Sequence, residues 1–169
     1  MARLFVAVWP SPAVRAALHA LEVRPEPGIR PVPPENWHIT LRFLGDADPA
    51  AVEQRLAEAR FPRAVAVLGP SVGRLGRKQY VIPVGGLDDL AAAVEATTGD
   101  LGMPPRRRFV GHLTVARTKP GTTSRAAGRA IGAELTVDEV ALVRSDLTPS
   151  GAVYTTLATF PTASPQRSI

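Results

Sequence analysis

The sequence contains no cysteine among its 169 residues. Without thiols the chain has no disulfide framework, no cysteine-ligated zinc, no iron–sulfur cluster and no thiol nucleophile. A domain of this length buries roughly 70% of its unfolded surface, so it needs no covalent cross-link or metal to be stable. Any catalytic chemistry must therefore use other side chains.

Long hydrophobic runs are also missing. The apolar run near the start, Leu4 to Trp9, is shorter than a usual signal-peptide core and is not followed by a small-residue cleavage site. No run approaches the roughly 18 apolar residues that a transmembrane helix requires. We therefore expect a cytoplasmic protein without membrane contact. Nothing in the sequence implies a protein partner, so we also expect a monomer.

Lysine is scarce, because 18 of the 20 basic residues are arginine, and the formal net charge is +5. A guanidinium group binds phosphate through two N–H groups at once, so this composition is compatible with a partner that carries phosphate. A chain rich in alanine, arginine, proline and glycine is also typical of a GC-rich genome. The charge alone is therefore only a weak indication of nucleic-acid binding.

Turn and cap residues divide the chain into short elements. Ser11-Pro12 and Asp48-Pro49 each place an N-cap residue before a proline at the first helical position. Helices are predicted over 12–22, 49–60 and 88–101, with a weak one over 123–131. Strands are predicted over 4–9, 37–44, 65–75, 79–84, 109–117, 134–144 and 153–160. The proline-rich stretch 24–35 is predicted to be an extended loop, and the tail from Pro161 to be frayed.

The order of these elements is β α β α β β α β (α) β β, in which strand pairs interrupt the alternation of strands and helices. This order predicts an α+β fold with mostly antiparallel sheets. We expect one domain over 1–169, built from two similar lobes that face a central cleft, with the helices packed on the outside.

One short pattern occurs twice. The tetrads HITL (38–41) and HLTV (112–115) each lie on a predicted strand, in opposite halves of the chain. Because side chains on a strand alternate between its two faces, the His and Thr of each tetrad point to the same side. Two similar lobes would bring both strands to one cleft.

A His beside a hydroxyl on a rigid strand suits displacement at phosphorus. The attacking oxygen must lose a proton and the leaving oxygen must gain one, and imidazole can do either near neutral pH. The hydroxyls can hold the non-bridging oxygens as charge develops. A single His-x-Thr is more often a buried strand histidine satisfied by its neighbour. The second copy in a matching context favours catalysis.

The paired tetrads resemble the HxTx signatures of the two-histidine (2H) phosphoesterases. Nearly the whole chain resembles one family in that superfamily, the RNA 2',3'-cyclic phosphodiesterases, formerly called 2'-5' RNA ligases. The most diagnostic stretch is VPPENWHITLRFLG (32–45). The resemblance implies an RNA-processing hydrolase that opens a terminal 2',3'-cyclic phosphate to a 2'-phosphate without metal or cofactor. Some members also join RNA ends through a 2'-5' linkage.

The resemblance also implies roles for the four motif residues. His38 would be the proton donor to the leaving 3'-oxygen, and His112 the proton acceptor that activates water. Thr40 and Thr114 would bind the phosphate oxygens. Spacing alone does not distinguish donor from acceptor.

Several other residues are candidates for RNA or phosphate contact. Arg42 has the strand parity of His38 and Thr40 and could line the cleft or lie at its rim in a surface ion pair, whereas Phe43 is predicted to lie in the core. Arg117 occupies the matching place in the second motif, but on the opposite parity unless a bulge redirects it. The remaining candidates are Arg106, Arg107, Arg108 and Tyr154.

The hairpin around Gly76 adds Arg74, Arg77 and Lys78 as further basic candidates. The strand after it reads QYVIPV, where the family usually has Trp and Gly. Any base stacking at that strand would therefore fall to Tyr80 or be absent.

Three alternatives stay open at this point. The same chemistry could act on a small cyclic nucleotide or on an ADP-ribose cyclic phosphate. The cleft could bind RNA ends without turnover, although binding alone would not need paired imidazoles. A histidine-ligated metal enzyme is disfavoured, because neither motif is near an HExxH pattern or a His–carboxylate cluster.

Overall fold

The computed structural model, which describes residues 1–164, contains a ten-stranded sheet and three α-helices. The strands are β1 (Ala2–Val8), β2 (Ile29–Pro31), β3 (Ile39–Ala47), β4 (Ala64–Leu68), β5 (Gly73–Leu75), β6 (Gln79–Gly85), β7 (His112–Thr118), β8 (Ala133–Val137), β9 (Glu139–Thr148) and β10 (Gly151–Pro161). The helices are α1 (Pro12–Ala20), α2 (Pro49–Glu58) and α3 (Asp88–Thr98), and Pro34–Asn36 forms a short 3₁₀ turn.

The main path of the sheet runs β10-β9-β1-β3-β7-β6-β4-β8, while β2 pairs with β7 and β5 with β6. The pairs along this path are antiparallel, which confirms the predicted α+β fold with antiparallel sheets. Two four-strand halves meet where β3 contacts β7, at the register pair Ile39 and Leu113. These are the residues that follow the two motif histidines. The motif strands are therefore the innermost strands of two similar halves.

The helices cover one face of the sheet and leave the other face free for the cleft. Their starts follow from the sequence: Ser11 Oγ accepts the Val14 N–H at 3.3 Å, and Asp48 Oδ1 accepts the Ala50 N–H at 3.1 Å. Helix α1 packs near β8, whereas α2 and α3 pack on each other and α3 packs on β3. The main core lies between these helices and the sheet.

Some predicted elements differ from the structure. The predicted strand 65–75 is interrupted after Leu68 by Gly69 and Pro70, because proline has no N–H to donate to a neighbouring strand. The predicted strand 134–144 is the end of one strand and the start of the next, separated at Asp138. The proline-rich stretch 24–35 contains the short strand β2 in addition to loop.

The weak helix predicted over 123–131 is wrong, because that stretch forms turns. The backbone N–H of Ser124 donates to the Tyr80 hydroxyl, and that of Arg125 donates to the Glu26 carboxylate, so distant side chains satisfy its backbone. The start of the tail is also better ordered than predicted, since the Ala163 N–H donates to the Phe61 carbonyl. Residues 165–169 of the predicted frayed tail lie outside the described residues.

Across residues 1–164, no helix is both long enough and apolar enough to cross a membrane.

Candidate active site

The free face of the sheet forms the floor of a cleft of about 450 Å³. Strand β3 contributes Thr40 and, just before its first residue, His38; strand β7 contributes His112 and Thr114. One wall is the segment from Arg30 to Asn36, and the other is the β9–β10 hairpin with Tyr154. The structure therefore brings together all four motif residues that the sequence identified.

Each histidine ring is hydrogen-bonded to the backbone carbonyl two residues before it. The ring nitrogen Nδ1 of His38 lies 2.7 Å from the Asn36 carbonyl oxygen, and Nδ1 of His112 lies 2.7 Å from the Val110 carbonyl oxygen. Because a carbonyl oxygen only accepts, Nδ1 must carry the proton in both rings. The Nε2 atoms are then the ones that can gain or lose a proton in the cleft. His38 Nε2 lies 3.0 Å from Thr40 Oγ1.

Aromatic rings surround His38 on its apolar side. Its ring centroid lies 4.9 Å from that of Phe5, 5.2 Å from that of Tyr154 and 5.9 Å from that of Trp9. Burial lowers the pKa of His38 below its ordinary value, and the positive charges of His112 and Arg117 lower it further. The hydrogen bond to the Asn36 carbonyl acts in the opposite direction. His38 is therefore predisposed to be neutral in the free protein.

Beside Thr114 lies a side chain that sequence reasoning missed. The Thr114 hydroxyl donates to Oε1 of Gln79 at 3.2 Å, and Gln79 lines the cleft from the start of β6. The amide group of Gln79 keeps its two N–H donors for another acceptor. The sequence places Gln79 next to the hairpin turn, but nothing in its pattern indicates that it meets the second motif.

A β-bulge follows the Thr of each motif. Strand β1 pairs Val6 with Arg42 but Ala7 with Thr40, so Leu41 is an extra residue. Strand β6 pairs Tyr80 with Ala116 but Val81 with Thr114, so Val115 is extra. An extra residue reverses the alternation of side chains beyond it. The fifth residue after each histidine, rather than the fourth, therefore faces the cleft.

This reversal corrects two predictions in the first motif. Arg42 does not line the cleft: it is only 5% exposed, and its guanidinium donates to the carbonyl oxygens of Thr98 and Leu101 at 3.2 and 3.1 Å. Phe43, predicted to lie in the core, is 43% exposed and lines the cleft. The guanidinium of Arg3 lies 5.2 Å from the centroid of the Phe43 ring.

In the second motif the bulge turns Arg117 into the cleft, on the side of His112 and Thr114. Arg30 of β2 is its cross-strand neighbour, and Arg3 of β1 is a third arginine along the cleft wall. Sequence reasoning missed Arg3 and Arg30, which lie outside both motifs. No Asp or Glu of the described residues lines this cleft.

The other basic candidates lie elsewhere. Arg106, Arg107 and Arg108 are exposed in the loop before β7 and do not line the cleft. Arg74 donates to the Thr122 carbonyl at 3.0 Å and lies over the ring of Tyr80. Tyr80 itself is 1% exposed, so it cannot stack on a base. Tyr154 does line the cleft, beside His38.

Within the part of the chain that the structure describes, no group of three or more His, Asp or Glu side chains could hold a metal ion.

This fold and this pair of His-Thr units define a two-histidine phosphoesterase, and residues 8–68 match the family described as LigT like Phosphoesterase. An RNA 2',3'-cyclic phosphodiesterase from Thermus thermophilus is 35% identical, over 94% of this chain and 89% of the relative. One from Archaeoglobus fulgidus is 33% identical, over 94% of this chain and 99% of the relative. The chain belongs to the RNA 2',3'-cyclic phosphodiesterase family.

A solved structure agrees with this assignment. The crystal structure of a Thermus thermophilus protein, 32% identical, superposes with a TM-score of 0.73 over 94% of this chain and 97% of that one.

Proposed function

We propose that this protein hydrolyses the 2',3'-cyclic phosphate at the end of an RNA strand to a 2'-phosphate, without a metal or cofactor. The observation that carries the proposal is the meeting of two equivalent His-Thr units in one cleft. Arginines line that cleft and, among residues 1–164, carboxylates do not, so the site attracts an anion. The names of the relatives support the choice of RNA as substrate.

The reaction needs one base and one acid. A water molecule attacks phosphorus, a P–O bond to this water forms, and the proton of the water passes to Nε2 of His112. The bond between phosphorus and the 3'-oxygen breaks, and Nε2 of His38 gives its proton to that oxygen. The product is a 2'-phosphomonoester with a free 3'-hydroxyl. The order of the two motifs in the family supports this assignment of donor and acceptor.

The surroundings of His38 are consistent with the donor role. Its lowered pKa means that the imidazolium releases its proton readily once negative charge develops on the leaving oxygen. The charge of a bound phosphate favours the protonated form, because an anion within a few ångströms raises the pKa of a neighbouring imidazole. Substrate binding and proton uptake at His38 would therefore be coupled.

Hydroxyl and guanidinium groups would stabilise the phosphate as charge builds on its oxygens. Thr40 and Thr114 lie beside the two histidines and are suited to the non-bridging oxygens, with Arg117 adding positive charge. The exposed ring of Phe43 and the ring of Tyr154 offer faces on which a base can stack.

We further propose that residues 1–169 act as one two-lobed phosphoesterase domain, as a monomer in the cytoplasm. The lobes correspond to the two halves of the sheet, and each supplies one histidine. The same cleft would accommodate joining of RNA ends through a 2'-5' linkage, in which a 5'-hydroxyl attacks phosphorus in place of water and the bond to the 3'-oxygen breaks as before.

The experiment is to incubate chelator-treated protein with an RNA oligonucleotide that ends in a 2',3'-cyclic phosphate. We expect opening of the ring to a 2'-phosphate at the same rate with and without chelator. Binding without turnover, a 3'-phosphate product, or loss of activity to the chelator would contradict the proposal. Turnover confined to a cyclic mononucleotide or to ADP-ribose cyclic phosphate would support the small-substrate alternative instead.

A further inference from the structure

A second groove, of about 370 Å³, continues from the cleft along the edge where β2 pairs with β7. It is lined by Gly28–Arg30 and Arg117–Lys119. Arg30 and Arg117 line both the cleft and this groove, which we call the edge groove. A backbone hydrogen bond joins the two segments that line it, because the N–H of Lys119 donates to the Gly28 carbonyl at 3.0 Å.

The edge groove carries positive charge that no side chain of the described residues neutralises. Arg30, Arg117 and Lys119 form no ion pair in residues 1–164, and no carboxylate of that range lines the groove. The nearby carboxylate of Glu26 is already held by Ser124 and Arg125. Three exposed cations without a counter-charge favour an anionic ligand.

The opposite wall of the cleft differs in this respect. On the β9–β10 hairpin, the residues that line the cleft are uncharged: Ser145, Ser150, Gly151, Ala152 and Tyr154. A polyanion that enters the cleft would therefore leave it along the edge groove rather than over the hairpin.

We propose that the edge groove binds the phosphodiester group on the 5' side of the terminal nucleotide, so that the enzyme prefers RNA strands to cyclic mononucleotides. The inference rests on the function proposed above. With the cyclic phosphate at Thr114 and Arg117, Lys119 lies outside the cleft, one residue past the end of β7. A cyclic mononucleotide has no second phosphate to reach Lys119, whereas an RNA strand does.

The chain offers a matched control, because its only two lysines are Lys78 and Lys119. Lys119 lines the edge groove but not the cleft. Lys78 is exposed close by and lines neither. Its carbonyl accepts the Thr118 N–H, a backbone bond that a side-chain substitution keeps. Lys119→Ala and Lys78→Ala therefore remove the same charge from neighbouring positions.

The test compares kcat/KM of both variants on 2',3'-cyclic AMP and on a pentanucleotide that ends in the same cyclic phosphate. We expect Lys119→Ala to lower kcat/KM for the pentanucleotide about fivefold, the upper range for an exposed charge contact, and to leave that for cyclic AMP unchanged. Lys78→Ala should leave both values unchanged. In the Lys119 variant, the slope of log kcat/KM against log salt for the pentanucleotide should become shallower by about 0.7.

The inference would be overturned if kcat/KM fell equally in the two lysine variants, fell equally on the two substrates, or fell in neither variant. None of these results would contradict the proposed function. Failure of the unmodified protein to open either substrate would instead contradict the proposed function itself.

Discussion

At the scale of single residues, the two catalytic candidates have equivalent backbone anchors but different surroundings. Three aromatic rings lie against His38, whereas no such ring pair with His112 occurs among residues 1–164. Removal of water from around an imidazole favours its neutral form. The shared His-x-Thr pattern therefore does not imply the same surroundings for the two imidazoles, and this asymmetry suits two histidines with different tasks.

The Trp9→Gln variant tests the effect of these rings on His38. An amide admits water to the ring and should raise the pKa of His38 toward its ordinary value. The kcat/KM profile has one limb at the pKa of the proton donor in the free protein. That limb should therefore move to higher pH in the variant.

The control is the other limb of the same profile, which should stay in place because the rings around His38 do not set it. If neither limb moved, or if one moved to lower pH, the rings would not set the proton affinity of His38.

At the scale of secondary-structure elements, the side chains of Arg42 and Arg117 point to the opposite sides of the sheet from those that strand alternation predicts. Arg42 faces the end of α3, where its charge meets the last carbonyls of the helix, and Arg117 faces the cleft. The cause in both strands is the bulge after the motif Thr.

The pair Arg42→Met and Arg117→Met separates these tasks. Arg42→Met removes the buried guanidinium that donates to the carbonyls of Thr98 and Leu101 and should lower the free energy of unfolding by about 3 kcal/mol. The folded fraction should keep its KM for the cyclic phosphate. Arg117→Met should lower kcat/KM at least tenfold, because a charge-assisted contact is worth about 1.5–3 kcal/mol, and should leave stability unchanged.

Thermal unfolding and steady-state kinetics of both variants check this prediction. If Arg42→Met raised KM without changing stability, or if Arg117→Met unfolded the protein, the assignment of the two side chains would be wrong.

Much of the element pattern could be predicted from the sequence, because its causes are local. The caps at Ser11 and Asp48 identify the starts of two helices correctly. The bulges at Leu41 and Val115 could not be predicted, because a bulge is defined by the register with a partner strand. Side-chain direction beyond each motif was therefore unpredictable, and so was the approach of Gln79 to Thr114.

At the scale of the whole molecule, the site depends on both halves of the sheet. Each half supplies one His and one Thr, and the halves meet at Ile39 and Leu113. The segment around β2 also connects them: the Val32 N–H donates to the Val115 carbonyl, and Asn36 Nδ2 donates to the Ala152 carbonyl at 3.0 Å. From the sequence, the prediction that the two motifs lie in one cleft rested only on the repeat of the His-x-Thr pattern in the two halves of the chain.

The arginine-rich composition has more than one structural use. Arg42 and Arg74 donate to backbone carbonyls, and Arg55 pairs with Asp100 at 2.8 Å. The arginines of the cleft and edge groove are few and come from separate strands, so composition could not identify them. Arg3 and Arg30 became candidates only once the sheet order was known.

The measurement that most directly tests the central claim is the pH dependence of kcat/KM for a cyclic-phosphate-ended RNA. An acid and a base in one cleft predict a bell-shaped profile, in which His38→Ala and His112→Ala each lower kcat/KM by about 10²-fold to 10⁴-fold while the protein stays folded. A profile with a single limb, or full activity after loss of either histidine, would contradict the account.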